Sequence, residues 1–237
     1  EQLRQGRLRI ASGEVPMRSQ DLLRYYVLKT ERDVQATCAE LKADPAVEHA
    51  QPNYIYYPCR SPNDPEFPDQ YAHQLIQMEG AWEISTGSRD VVVAVLDTGV
   101  DVNHPDLKDN MWTNADEIRG NGIDDDGNGY VDDVYGWNFG GDNNDVTPGD
   151  YYSVAGHGTE VSGVIAAVGN NGLGVCGVNW QCSIMALRLS LDFTTEEAAE
   201  GLDYATANGA RIVNMSFGGD AFGPEGDLVL KAAIDNA

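Results

Sequence analysis

Residues 91–97 read Val-Val-Val-Ala-Val-Leu-Asp, and Thr98-Gly99 follow. A continuous β-branched run of this kind predicts a strand covered on both faces, as in a parallel sheet packed between helices. Asp97 then falls at the C-terminal end of that strand, where open α/β sheets place their sites. On position alone, Asp97 could equally be a turn or capping aspartate.

Working outward, residues 157–168 (His-Gly-Thr-Glu-Val-Ser-Gly-Val-Ile-Ala-Ala-Val) are small and apolar at helical spacing and predict a buried helix. Ser183–Leu189 predicts a second strand. Thr194 with Glu197 predicts a capping box opening a helix that runs to about Asn208 and closes at Gly209. Arg211–Met215 predicts a third strand and Asp227–Asn236 a further helix. This alternation predicts an α/β fold with a mainly parallel, doubly wound sheet over residues 70–237. Residues 109–155 form a long polar insertion, and loops of that length are usually functional or organised by a cation.

Residues 1–57 read as a separate small α+β module. Leu22–Thr30 predicts a strand, Asp33–Ala43 a helix stopped by Asp44-Pro45, and Val47–Tyr57 a returning strand. Pro58, Pro62, Pro65 and Pro68 make residues 58–69 an exposed, extended linker.

The chain has 237 residues, with 15 Lys+Arg against 38 Asp+Glu and a formal charge of −23. That balance disfavours nucleic acid and anionic membranes as partners. It favours bound cations and a salty or extracellular setting. Hydrophobic residues make up 42%, enough for a core. No apolar run reaches the roughly 18 residues of a membrane span. The chain starts at Glu1 with charged residues, as a processed chain does. Cys38, Cys59, Cys176 and Cys182 form no CxxC pair. Cys38 reads as a core thiol. Cys176 and Cys182 are close enough to bridge a short loop by a disulfide, with two buried thiols as the alternative.

The acidic stretch 122–133, Gly-Ile-Asp-Asp-Asp-Gly-Asn-Gly-Tyr-Val-Asp-Asp, carries the strongest local signal. Asp124, Asp126 and Asn128 fall at positions 1, 3 and 5 of an EF-hand-like loop. Gly129 takes position 6 and the Tyr130 carbonyl position 7. Position 12 is Tyr135, so Asp132 or Asp133 is expected to complete the shell. Carboxylates this dense repel one another by about 1 kcal/mol per close pair even in water. A hard divalent cation relieves that repulsion, and calcium suits an all-oxygen set. A solvated acidic loop is the alternative.

His157 heads its helix between Gly156 and Gly158. A helix N-terminus disfavours an imidazolium, and flanking glycines allow close approach of backbone or ligand. Four ordered segments then become specific together. Val95-Leu96-Asp97-Thr98-Gly99-Val100-Asp101, His104-Pro105-Asp106-Leu107, Gly156-His157-Gly158-Thr159 and Asn214-Met215-Ser216-Phe217-Gly218-Gly219 resemble the subtilisin-like serine proteases, or subtilases. Residues 22–57, ending in Val47-Glu48-His49-Ala50-Gln51-Pro52-Asn53-Tyr54, resemble the inhibitory propeptide of that family.

The resemblance implies that Asp97 and His157 are the first two members of an Asp-His-Ser triad, in that family's order. It implies that Ser216, Phe217 and Gly218 pair with an extended peptide, rather than Ser216 being the nucleophile. It also implies a second calcium site from Asp64, Asp106 and Asn171 with the carbonyls of Gly169, Leu173 and Val175. The Gly-Thr-Ser-Met-type turn that carries the nucleophile, and the oxyanion asparagine, are absent from these residues. Losing the serine of such a triad costs about 10⁶ in kcat, so the chain alone is expected to be inactive. The expected partners are polypeptide substrates and the remaining C-terminal part of the protease, and the expected location is secreted. Glu160 stands where the family usually has histidine and is expected to be structural, cation-bound or solvated. The competing reading is a calcium-binding pseudoprotease or regulatory peptide-binding module. A phosphatase-like or nucleotide-binding domain is poorly supported, since no GxGxxG or P-loop follows the first strand. The bond that releases the propeptide is expected between Tyr57 and Ser61.

Overall fold

A computed structural model describes residues 27–54, 60–149, 156–218 and 226–237. The chain divides into two compact units, residues 1–58 and 59–237. In the first, helix α1 spans Val34–Lys42, and the Asp33 carboxylate caps it by accepting the Ala36 N–H at 2.7 Å. Cys38 is its buried residue. The strand expectations are not met where they can be read: residues 27–30 and 47–54 are irregular. Val27, Leu28 and Tyr54 are each half or more exposed, so among the described residues these large apolar side chains cover no sheet. Residues 22–26 and 55–57 of those two expectations, like Cys59, lie outside the described residues.

The second unit is a four-stranded parallel sheet in the order β2-β3-β1-β4. Strand β1 is Gly87–Asp97, β2 Gly136–Asn138, β3 Gln181–Arg188 and β4 Ile212–Asn214. Helix α4 (His157–Ala166) lies between β2 and β3 in the chain, and α5 (Thr195–Ala207) connects β3 to β4. Side chains alternate across β1 as the strand period demands. Val93 and Val95 join the core that contains Ala166 of α4, whereas Ala94 and Leu96 join the core that contains Ala198, Tyr204 and Ala205 of α5. The sheet is therefore wound on both faces. On the α5 face the approach is close: a Cβ on Gly201 would lie 2.4 Å from Leu96. Two short helices, α2 (Tyr71–Leu75) and α3 (Met78–Trp82), precede β1, and α6 (Leu228–Asn236) ends the chain.

Three expectations need correction. Helix α4 is buried along one face only, through Gly158, Ser162 and Ala166, and Val164 is 63% exposed. Small and aliphatic residues on most of its faces make the segment read as apolar nearly all round. The proline-rich stretch is anchored at three points of its described part, though its other residues there, Pro65 and Pro68 among them, are exposed as expected. Pro62, Asp64 and Phe67 are buried, because the Asp64 carboxylate accepts the N–H groups of Asn170 (2.6 Å) and Asn171 (3.1 Å). Cys176 and Cys182 are free thiols rather than a disulfide. They belong to different cores, Cys182 beneath the sheet and Cys176 with Phe67, Trp82 and Trp180.

Candidate active site and cation loops

The register Asp97↔Arg188 sets the tips of β1 and β3 side by side. The Asp97 side chain, almost fully buried, turns toward the first residue of α4. His157 Nδ1 lies 2.8 Å from Asp97 Oδ1 and 3.0 Å from Oδ2. A carboxylate only accepts, so in the neutral imidazole this geometry places the ring proton on Nδ1 and leaves Nε2 as the acceptor. Thr98 N–H donates to Asp97 Oδ1 at 2.7 Å, and the Thr98 hydroxyl oxygen accepts Gly158 N–H at 3.2 Å. This approach depends on glycine: a Cβ on Gly158 would lie 2.3 Å from the Gly99 carbonyl oxygen and 3.1 Å from Asp97 Cβ.

Asp97 and His157 open into a cleft of about 260 Å³, also lined by Thr98, Leu189, Ser190, Leu191, Phe193, Ser216 and Phe217. Two of the three residues expected to meet a peptide therefore stand in it, and Gly218 lies beyond its lining. Residues 216–218 continue from β4 as irregular chain rather than as strand. Phe217 packs on Phe193 with ring centroids 4.4 Å apart. Sequence reading missed the wall formed by residues 189–193. The rule that singled out Asp97 applies equally to it, since these residues follow the C-terminal end of a parallel strand. Glu160 is exposed and solvated.

In the acidic loop, oxygens of Glu117, Asp124 and Asp126 lie within 4.8 Å of one another. The N–H of Gly129, then those of Gly127 and Asn128, holds the Asp124 carboxyl below the usual carboxylate range. Glu117 was not foreseen. It lies outside the spaced motif, and only the fold brings it in, through N–H donors from Asp125 (2.7 Å) and Asp132 (3.0 Å). Asp132 points elsewhere: its carboxylate accepts N–H from Gly120, Asn121 and Gly122. Asp133 is fully buried and accepts from Asn114, Asn128 and Tyr204. Asn128 presents its amide nitrogen to Asp126 and Asp133, while its Oδ1 accepts Tyr130 N–H.

Of the other expected ligand set, Asp64, Asp106 and Asn171 are held around the turn at residues 170–175. Asp106, 3% exposed, accepts the Asn171 side-chain amide at 2.8 Å and Val175 N–H at 3.0 Å, and Asp64 holds the N–H groups of residues 170 and 171. Asn171 Oδ1 accepts Leu173 N–H at 2.8 Å. Gly169 lies against the Trp180 ring, which a Cβ would meet at 2.2 Å.

The profile of the subtilase family (peptidase S8) matches residues 88–237. The thermophilic serine proteinase of Bacillus sp. (strain AK1) is 32% identical over 216 residues, covering 89% of this chain and 47% of that protein. The halolysin-like extracellular serine protease Nep of Natrialba magadii is 33% identical over 175 residues, covering 73% of this chain and 29% of that protein. Among solved structures, a protease from Pseudoalteromonas arctica superposes with a TM-score of 0.52 at 32% identity, covering 74% of this chain and 55% of that one. The chain thus spans about half, or less, of the length of these relatives.

Proposed function

Because the chain belongs to the subtilase family of serine proteases, we propose that it supplies the acid and base halves of a peptide-hydrolysing site. The observation that carries this reading is the Asp97–His157 pair at the mouth of a cleft. Asp97 fixes the Nδ1–H tautomer and stabilises the imidazolium once it forms. Nε2 takes the proton of a serine hydroxyl as that oxygen attacks the scissile carbonyl, then returns it to the departing amine. The serine comes from the turn these residues do not contain, so residues 1–237 alone do not hydrolyse peptides. An extended substrate lies along Ser216–Gly218, its backbone pairing with theirs. Residues 1–57 act as the inhibitory propeptide.

The donor chemistry fits calcium. Glu117, Asp124 and Asp126 offer only hard oxygens, within reach of one ion. A half-turn of the Asn128 amide and the Tyr130 carbonyl would add to them. Asp64, Asp106 and Asn171 would hold a second ion with the carbonyls of residues 169, 173 and 175. Calcium in these loops neutralises carboxylate repulsion. Secretion is supported by the −23 charge and by the name of the Natrialba relative. Among the described residues no helix is long and apolar enough to cross a membrane.

The test is hydrolysis of a fluorogenic casein by a polypeptide carrying these residues together with the serine-bearing turn. Asp97→Asn and His157→Ala should each lower kcat by roughly 10⁴-fold or more, as in other Asp-His-Ser triads. Activity retained in either variant would overturn the assignment.

A further inference from the structure

The cleft wall formed by residues 189–193 has no strand or helix of its own, yet it is held at successive backbone groups. Leu189 N–H donates to the Asp97 carbonyl at 2.8 Å. The next N–H, that of Ser190, donates to Glu197 Oε2 at 2.9 Å, and the Ser190 hydroxyl donates to the same carboxylate at 2.8–2.9 Å. From the other side Gly140 presses on Ser190 so closely that a Cβ there would lie 2.6 Å from Ser190 N.

Glu197 is the third residue of α5, where the expected capping box would turn its carboxylate back to Thr194 N–H. Only half of that box forms. The Thr194 hydroxyl oxygen accepts Glu197 N–H at 3.3 Å, while the carboxylate reaches Ser190 instead. Two hydrogen bonds to one ionised acceptor are stronger than neutral ones. They tie the wall to the rigid first turn of α5. Beyond Ser190 the wall presents Leu191, 41% exposed, and Phe193, packed at a tilt against Phe217.

Resting on the peptide-binding reading of the cleft, we propose that Glu197 is a positioning residue for substrate selectivity. Its carboxylate holds Ser190, and through it the apolar surface of Leu191 and Phe193, at the spacing that grips an apolar peptide side chain beside His157.

The experiment measures calorimetric binding of two probes, acetyl-Ala-Leu-Ala-Phe-amide and acetyl-Ala-Gly-Ala-Phe-amide, to the full chain and to Glu197→Ala, Glu197→Gln and Ser190→Ala. Melting temperature and amide hydrogen exchange at Ser190 are recorded alongside. The unsubstituted chain should prefer the leucine peptide by roughly tenfold or more, the effect of burying one such side chain. Glu197→Ala should reduce that preference to about twofold and lose protection at Ser190. Glu197→Gln keeps an acceptor oxygen and should retain most of the preference, and Ser190→Ala should fall between. A lower melting temperature with the preference intact in Glu197→Ala would show a purely structural helix cap and overturn the proposal. If Glu197→Ala does not fold, an undiminished preference in Ser190→Ala with a rapidly exchanging Ser190 amide in the unsubstituted chain overturns it as well. Binding of neither peptide by the unsubstituted chain, before or after proteolytic removal of residues 1–58, would instead refute the reading of the cleft.

Discussion

Tyr204, buried in the middle of the sheet-covering helix α5, donates its hydroxyl at 2.6 Å to Asp133, a fully buried carboxylate at the end of the acidic loop. The insertion, though largely exposed, is thus anchored at Asp133 in the core behind the sheet. Tyr130 of the same loop stands edge-on to the Tyr204 ring, 4.9 Å between centroids.

Removing that hydroxyl should be costly. Tyr204→Phe takes one donor from a carboxylate that water cannot reach, a loss of about 1–3 kcal/mol. Urea unfolding at pH 7 should show a lower midpoint, and an unchanged midpoint would mean the anchor contributes nothing. Burial, and then Asp133, pushes the phenol well above its usual range. The unfolded chain ionises this tyrosine near pH 10 and the folded chain does not, so this contribution to stability is present below about pH 10 and fades above it.

Calcium should raise the melting temperature and a chelator should lower it. At 100 times Kd, one site adds about 2.7 kcal/mol. The geometry separates two kinds of carboxylate. Glu117→Gln or Asp124→Asn should weaken calcium affinity, because both belong to the converging oxygens. Asp132→Asn should destabilise the loop to the same degree with or without calcium, because Asp132 serves the N–H groups of residues 120–122. Titration calorimetry in which Asp132→Asn loses affinity as strongly as Asp124→Asn would contradict this division.

Gly158→Ala should separate the acid from the base. Its methyl group would sit 2.3 Å from the Gly99 oxygen, so α4 or the β1 tip must move. Overpacking of this kind costs about 1–3 kcal/mol. The downfield Nδ1 proton of His157 in the NMR spectrum should shift or vanish in the variant, and its persistence unchanged would show that the site absorbs the methyl group.

The thiols of Cys176 and Cys182 should be inert in the folded chain. Burial pushes the Cys176 thiol up to about 12, with Asp64 and Asp106 adding to the effect, and burial alone pushes Cys182 up to about 11. Unfolded thiols ionise near pH 8.5, so their protonated burial stabilises the fold fully below that pH and progressively less as the pH rises toward 11–12. A disulfide-exchange reagent at pH 8 should modify both thiols only in denaturant. Rapid labelling of either in the native chain would refute their burial.

The alternation that winds the sheet was legible because it is a short-range matter, whereas Asp97 and His157 became specific only through the four ordered segments that resemble the subtilases. A run of β-branched residues has one stable environment, between two layers of helix, and its end marks the site. The spacing of Asp124, Asp126 and Asn128 is likewise local and announced the acidic loop. Other features depend on what happens to lie opposite. Strand β2 is three residues inside a polar insertion and exists because β3 offers it a parallel edge at Gly136↔Ala186. Glu117 joins the cation cluster and Asp132 leaves it according to which backbone N–H groups the folded loop turns toward each. Cys176 and Cys182 are six positions apart yet belong to separate cores, because β3 begins between them. Local periodicity and steric preference act within a few residues and so can be read along the chain. A carboxylate's choice of donor is settled only when distant segments meet, since many donors compete for it and desolvation leaves just those the fold brings within reach.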